Sequence, residues 1–137
     1  MGQQQLLLII LGVIIVGIAI AVGLSLFRAN SIQANKDAII NDINNLAANA
    51  YQFRIRPVSM AGGGGDYSGG LGYKIPFKMS SNDNATYTCA VTAGSGTTGS
   101  VQFTGKSVTA SQTSNVIGSV DAGGRVTFSS FTGDFAQ

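Results

Sequence analysis

Apolar and polar positions divide the first half of the chain into two stretches of different character. Residues 6–27 are Leu, Ile, Val, Ala and Gly with one Ser and one Phe, and they carry no charge. These 22 residues match the ~20 that a helix needs to cross a hydrocarbon layer of ~30 Å. In such surroundings the backbone satisfies its own polar groups only as a helix. From residue 28 onward the pattern becomes periodic. Ile32, Ile39, Ile40, Ile43, Leu46, Ala47, Ala50 and Tyr51 recur largely at spacings of three and four, with Asn, Lys, Asp and Gln among them. That is the stripe of an amphipathic helix facing a core. No proline precedes Pro57, so the two stretches are expected to form one helix from about residue 2 to about residue 53, roughly 75 Å long. Its first half needs lipid or copies of itself. A removed secretory signal is the competing reading. It requires a basic start and an apolar core of roughly 7–15 residues, and this chain has neither.

The second half changes period. Pro57 disfavours helical geometry at Arg56 and ends the helix there. Residues 57–72 hold Gly62 to Gly65, Gly69, Gly70 and Gly72, which gives a flexible or tightly turned connection. It reads equally as a linker and as a loop whose bare backbone lets a neighbouring subunit approach. Beyond it, apolar positions alternate. Ile75, Phe77 and Met79 share one face, with Lys74, Pro76 and Lys78 opposite, the pattern of an edge strand. Asn82, Asp83 and Asn84 form a turn. Tyr87, Cys89 and Val91 alternate next, then Val101 and Phe103, with Val108 continuing after Gly105. Val116, Ile117 and Val120 predict a short strand, residues 121–124 a turn, and Val126, Phe128 and Phe131 a last strand. Four or five antiparallel strands with one apolar face need a cover. The striped helix over residues 32–51 is the expected lid.

The expected fold class is therefore α+β: a long N-terminal helix, its apolar half protruding and its amphipathic half packed on a small antiparallel sheet. The expected divisions are a transmembrane or filament-core helix (1–27), an amphipathic helix (28–56), a Gly-rich connecting loop (57–72) and a sheet domain (73–137).

Composition narrows the chemistry. The chain has 137 residues, with 8 Lys and Arg against 6 Asp, no Glu and no His. A net charge of +2 is too small for a nucleic-acid surface. Without His or Glu, no spacing supports a catalytic dyad or a metal cluster. The Gly-rich runs lack the strand–helix context and the Lys of a phosphate loop. No enzyme activity, cofactor, metal or small-molecule substrate is expected. The single Cys89 excludes an intrachain disulfide and is expected as a buried thiol on the apolar strand face. Ser, Thr and Asn dominate the remaining surface, and Asn84-Ala85-Thr86 is a candidate glycosylation acceptor.

A protruding helix, apolar first and amphipathic later, on a small antiparallel sheet resembles the plan of type IV pilins and their type II secretion relatives. The resemblance is architectural and spans the whole chain. It implies removal of a short basic leader by a dedicated peptidase, with Met1 as the first mature residue and the site of N-terminal methylation. The alternative is that the sequence is a full gene product. The family usually carries Glu at the fifth mature position, where this chain has Gln5. With Gln3 and Gln4 it forms an uncharged version of the polar cluster that meets neighbouring helix starts, whose first N–H groups lack partners. Where many bacterial members have a proline, this chain has Val22. Gly12, Gly17 and Gly23 stand nearby, either as the place where helix is lost, around residues 17–23, or as close-packing points in a continuous helix. The family's C-terminal disulfide is absent.

The resemblance implies a major structural subunit of an extracellular filament (a fimbrium), held in the inner, cytoplasmic membrane before assembly. Its partners would be identical subunits, membrane lipid, the assembly machinery and the leader peptidase. The alternatives are a minor pilin or pseudopilin, and, from another class, a monomeric membrane-anchored binding module.

Overall fold

The structure, a computed structural model, describes residues 2–110 and 113–136. Met1, the expected processing site, lies outside the described residues. One α-helix, α1 (Gly2–Ile55), runs without interruption through both stretches of the N-terminal half. Its 54 residues give a rod about 81 Å long. The boundary expected at residues 27 and 28 is therefore not a break in structure. It is where burial begins: residues 2–31 are exposed, and the buried positions are Asn35, Ile39, Ile43, Leu46, Ala47, Ala50 and Arg54. Those spacings of three and four keep one face of α1 on the sheet.

Four strands follow: β1 (Ala85–Thr92), β2 (Ser100–Ser107), β3 (Asn115–Val120) and β4 (Val126–Phe131), in the order β1-β2-β3-β4, with antiparallel neighbours. Alternate residues point at α1, so Tyr87, Val101, Phe103, Val116 and Val120 are buried while Thr86, Thr88, Gln102 and Lys106 face out. The helix comes close to the sheet because two inward positions carry no side chain. A Cβ on Gly105 would lie 2.7 Å from Ile39 Cγ2, and one on Gly118 would lie 3.0 Å from Ile43 Cγ2. In β4 an irregularity in register opposite Ile117 and Gly118 pairs Gly118 with Phe128 and Val116 with Phe131. This bulge lets two Phe three residues apart share a face, and their rings stack with centroids 6.3 Å apart.

Three expectations need correction. The segment with Ile75, Phe77 and Met79 is not a strand. Residues 73–76 are irregular and Phe77–Met79 is a 3₁₀ turn, with Ile75 and Met79 half-buried and Phe77 93% exposed. The start of β1 takes its outer partner just beyond this segment, through the Ser81–Thr86 bridge and Tyr87 N–H donating to Ser80 O. Val108 does not continue the inward face of β2. The strand ends at Ser107, which already points inward, so Val108 falls on the other side and is exposed. Cys89 is half-buried rather than buried, since the inward face of β1 opens towards its C-terminal end.

The Gly-rich connection is a compact cap on α1. Gly63, Gly64 and Gly65 donate their N–H groups to the carbonyls of Phe53, Arg56 and Arg54 at 2.8, 2.9 and 2.7 Å. These carbonyls lie at the helix end, where intrahelical donors run out. The bare backbone that sequence offered to a neighbouring subunit is approached by the chain itself: a Cβ on Gly62 would lie 2.2 Å from Arg56 O, and one on Gly69 2.0 Å from Gly63 O.

Candidate functional site

The feature that the domain leaves unused is the first half of α1. Every large apolar side chain from Leu6 to Phe27 is between 52% and 72% exposed, so this is not the core helix of a globular protein. It is long and apolar enough to cross a membrane. Gln3, Gln4 and Gln5 occupy its first turn and are exposed. Consecutive residues lie about 100° apart around a helix, so the three amides face three directions and do not form one patch on a single chain. Gly12, Gly17 and Gly23 are helical, and a Cβ on any of them meets nothing within 4 Å. The chain's own packing does not require them.

Placed on the helix, small residues show an order that composition hides. Gly17, Ala21 and Ser25 follow at four-residue spacing and therefore share a face. Gly12 and Gly23 are 11 residues apart, about three turns, and share another. Small residues four apart let helices approach closely where no water is present. Sequence reading singled out the glycines; the four-residue register with Ala21 and Ser25 was the signal for the rest.

A second group, not anticipated, lies at the far end of α1. Arg54 belongs to the buried stripe through its spacing from Ala47 and Ala50, and that spacing was the available signal. Its two terminal nitrogens donate to Ala122 O and Gly96 O, while its Nε has no hydrogen-bond partner among the described residues. Tyr67 lies beneath it and donates to Asp121 O at 2.7 Å. Asp66 accepts from Ser68 N–H at 2.9 Å and Gly94 N–H at 3.2 Å. These backbone donors, chiefly that of Ser68, and the Arg54 charge hold its carboxyl below the usual range against the opposing effect of burial. The cluster ties the Gly-rich cap, the β1–β2 loop and the β3–β4 turn to the helix end.

Two pairs of hydrogen bonds fix the middle and the entry of the lid. Tyr87 OH donates to Asp42 Oδ2 at 2.5 Å, and Asn82 Nδ2 donates to the same oxygen at 2.7 Å. Burial, with Asp42 beside it, pushes the Tyr87 phenol up. Ser107 Oγ donates to Asn35 Oδ1 at 2.7 Å, and Asn35 Nδ2 donates to Asn84 O at 3.2 Å. Asn84, the candidate glycan acceptor, is thus half-buried in a turn whose backbone is held to α1.

An open cleft of about 430 Å³ lies at the C-terminal end of α1, lined by Phe53, Arg56, Tyr73 and Lys74 among others. Tyr73 OH donates to Asn49 Oδ1 at 3.1 Å, and burial raises its phenol. Among the described residues, no three His, Cys, Asp or Glu side chains gather as a metal site would require. The fold is thus an α+β domain carrying a bare apolar rod. Comparison of this chain with protein-family models, with curated proteins and with solved structures finds no match in any of the three.

Proposed function

We propose that this protein is a subunit of an extracellular helical filament of the type IV pilus kind, assembled through residues 6–27 of α1. One observation carries the reading: an apolar rod of membrane length, wholly exposed, continues without a break into the lid of a small sheet domain. Before assembly the rod lies in the cytoplasmic membrane and the domain stands outside. In the filament the rod leaves lipid for the same surface of identical chains.

Lipid is as apolar as the rod, so this exchange gains little from the hydrophobic effect. Close packing along Gly17, Ala21 and Ser25 and polar contacts of Gln3, Gln4 and Gln5 hold the filament core instead. Exposure of the rod to water opposes dissociation. At ~25 cal/mol per Å², the apolar surface of such a segment amounts to tens of kcal/mol. Head-to-tail contacts that do not close a ring give an open helical polymer.

The test is to shear filaments from cells, image them and identify their main protein by mass spectrometry. This chain as the dominant component supports the proposal. A trace amount makes it a minor pilin or pseudopilin instead. Absence of fibres, with a detergent-soluble monomer, leaves a membrane-anchored module. The intact mass of the same material reads processing and methylation at Met1.

A further inference from the structure

Both outer edges of the sheet keep backbone groups that the chain itself does not use. Ser107, which ends β2, meets Asn35, and Gly96, which precedes β2, meets Arg54. The strands therefore run along α1. Bonds at the ends of the sheet fix which residues aim outward. Tyr87 N–H donates to Ser80 O at 2.8 Å, and Ala85 O accepts from Asn82 N–H at 3.0 Å. The N–H and C=O of one residue point to the same side of a strand, and successive residues alternate. Cys89 and Val91 thus turn both groups away from β2, and these groups have no hydrogen-bond partner among the described residues. On the opposite edge, Arg125 O accepts from Asp121 N–H at 3.0 Å. That turns Val126 and Phe128 away from β3, and their backbone groups are without a partner in the same sense.

We infer that β1 of one chain pairs with β4 of a second copy, so that one antiparallel sheet continues from domain to domain. The inference rests on the filament reading, which supplies copies with parallel rods. As first and last strands of a four-stranded antiparallel meander, β1 and β4 run in opposite directions. A copy with its rod parallel to the first therefore brings its β4 antiparallel to β1. With Cys89 opposite Phe128 of the second copy, Val91 falls opposite Val126 of that copy. Each of these pairs can exchange two bonds, about four hydrogen bonds in all. The four side chains are half-buried and lie on the face that packs towards α1, so the pairing also covers apolar surface that a single domain leaves open. Neither edge carries the charge or Pro that commonly blocks such pairing: residues 88–92 and 126–128 have none. The irregularity in β4 lies beyond Phe128. Ser80 and Ser81 already occupy the edge at Tyr87 and Thr86, which stops the register from sliding down β1. The contact joins two different edges, so it is head-to-tail and does not close on two copies. Pairing of β1 with β1, or of β4 with β4, would set the rods antiparallel.

The register can be read by cross-linking. Ala90 and Thr127 are exposed on the outer face of the sheet. The pairing sets them opposite each other between copies as a pair without mutual hydrogen bonds, with Cα atoms about 4.5 Å apart, within disulfide reach. Inside one chain, three strand spacings of ~14 Å in total keep them apart. The probe is the full-length chain with Cys89→Ser, Ala90→Cys and Thr127→Cys, beside the two chains that carry only one of the new cysteines. Sheared filaments are oxidised and run on a denaturing gel without reductant. The expected result is a ladder extending beyond the dimer for the double variant and monomer for both single ones. Dimers from a single variant would put like edges together and refute the pairing. Filaments of the double variant that give no ladder refute it as well, and leave the filament reading standing. Val91→Pro is an independent arm, because it removes an outward N–H that the chain does not use and Pro is tolerated at such an edge position. Domain melting should stay close to that of the native chain while filament yield falls several-fold. Undiminished yield overturns the pairing whether or not the cysteine variant folds. If the native chain forms no filaments, the filament reading falls and the pairing with it.

Discussion

The guanidinium carbon of Arg54 lies 5.4 Å from the centre of the Tyr67 ring, and from that position it reaches carbonyls in two separate loops. A cation above an aromatic face is attracted to it, and the planar fork serves both acceptors at once. Removing it leaves the buried Ala122 carbonyl without this donor. Arg54→Met is expected to destabilise the domain by about 1–3 kcal/mol, with Arg54→Lys recovering part of the loss. Denaturant titration of the full chain in detergent measures both.

The two bare positions beneath the helix set a packing limit. Gly105→Ala brings a methyl group within 2.7 Å of Ile39 Cγ2, closer than two carbons can lie. The expected cost is about 1–3 kcal/mol from overpacking. Because the nearest contact is with Ile39 Cγ2, Ile39→Ala, which removes that carbon, should in the same chain cost less than the sum of the two single changes. A double-mutant cycle checks this coupling, and strict additivity contradicts it.

Stability should fall in alkali. Burial raises the phenols of Tyr73 and Tyr87 above the ordinary value of 10.0, and Asp42 adds to the effect at Tyr87. The folded chain therefore holds these two protons more tightly than the unfolded chain. Their contribution is complete below pH 10 and declines as the pH rises beyond it, by at most about 1.4 kcal/mol per unit for each phenol. Unfolding midpoints between pH 9 and 11 give the slope, and Tyr87→Phe should reduce it.

The rod separates folding from assembly. Gly17→Leu adds a side chain where nothing lies within 4 Å and replaces a poor helix former, so α1 itself should gain up to about 1 kcal/mol. Filament yield should nevertheless drop sharply if helices meet along the face of Gly17, Ala21 and Ser25. Thermal melting of the domain beside counts of sheared filaments distinguishes the two effects.

At the other end of the rod, Gln5→Glu places a carboxylate in the first turn of α1. Near the positive end of a helix, and if the N-terminal amine of an adjacent chain lies nearby, it is expected to maintain or raise filament yield. A steep fall in yield would contradict a contact between this position and an N-terminal amine.

Sequence showed the helix and its stripe because Ile39, Ile43, Leu46, Ala47 and Ala50 all report one periodicity. It showed the strands for the same reason, by the alternation of Tyr87, Cys89 and Val91 and of Val101 and Phe103. Period two reports which residues share a side, but not whether a partner strand exists. Ile75, Phe77 and Met79 alternate without one, and Pro76 has no N–H to offer a ladder. The inward positions of β2 and β3 include Gly105 and Gly118, which carry no apolar signal yet set the distance between helix and sheet. Arg54 was missed because a charged side chain reads as surface unless its spacing from Ala47 and Ala50 outweighs its chemistry. The length of the rod was legible, but its continuity through residues 17–23 was left open by Gly17 and Gly23. Its small-residue faces became visible only when residue numbers were converted into angles about an axis.

Because α1 has no hinge between its lipid-length stretch and the stretch that covers the sheet, the compass bearing of the domain is locked to residue count. One residue inserted into the rod would swing the sheet by about 100° and lift it by about 1.5 Å. Seven would bring it back to within about 20° of its first heading. The chain behaves as an indexed screw, and any tip contact that depends on azimuth is tuned by residues far below it.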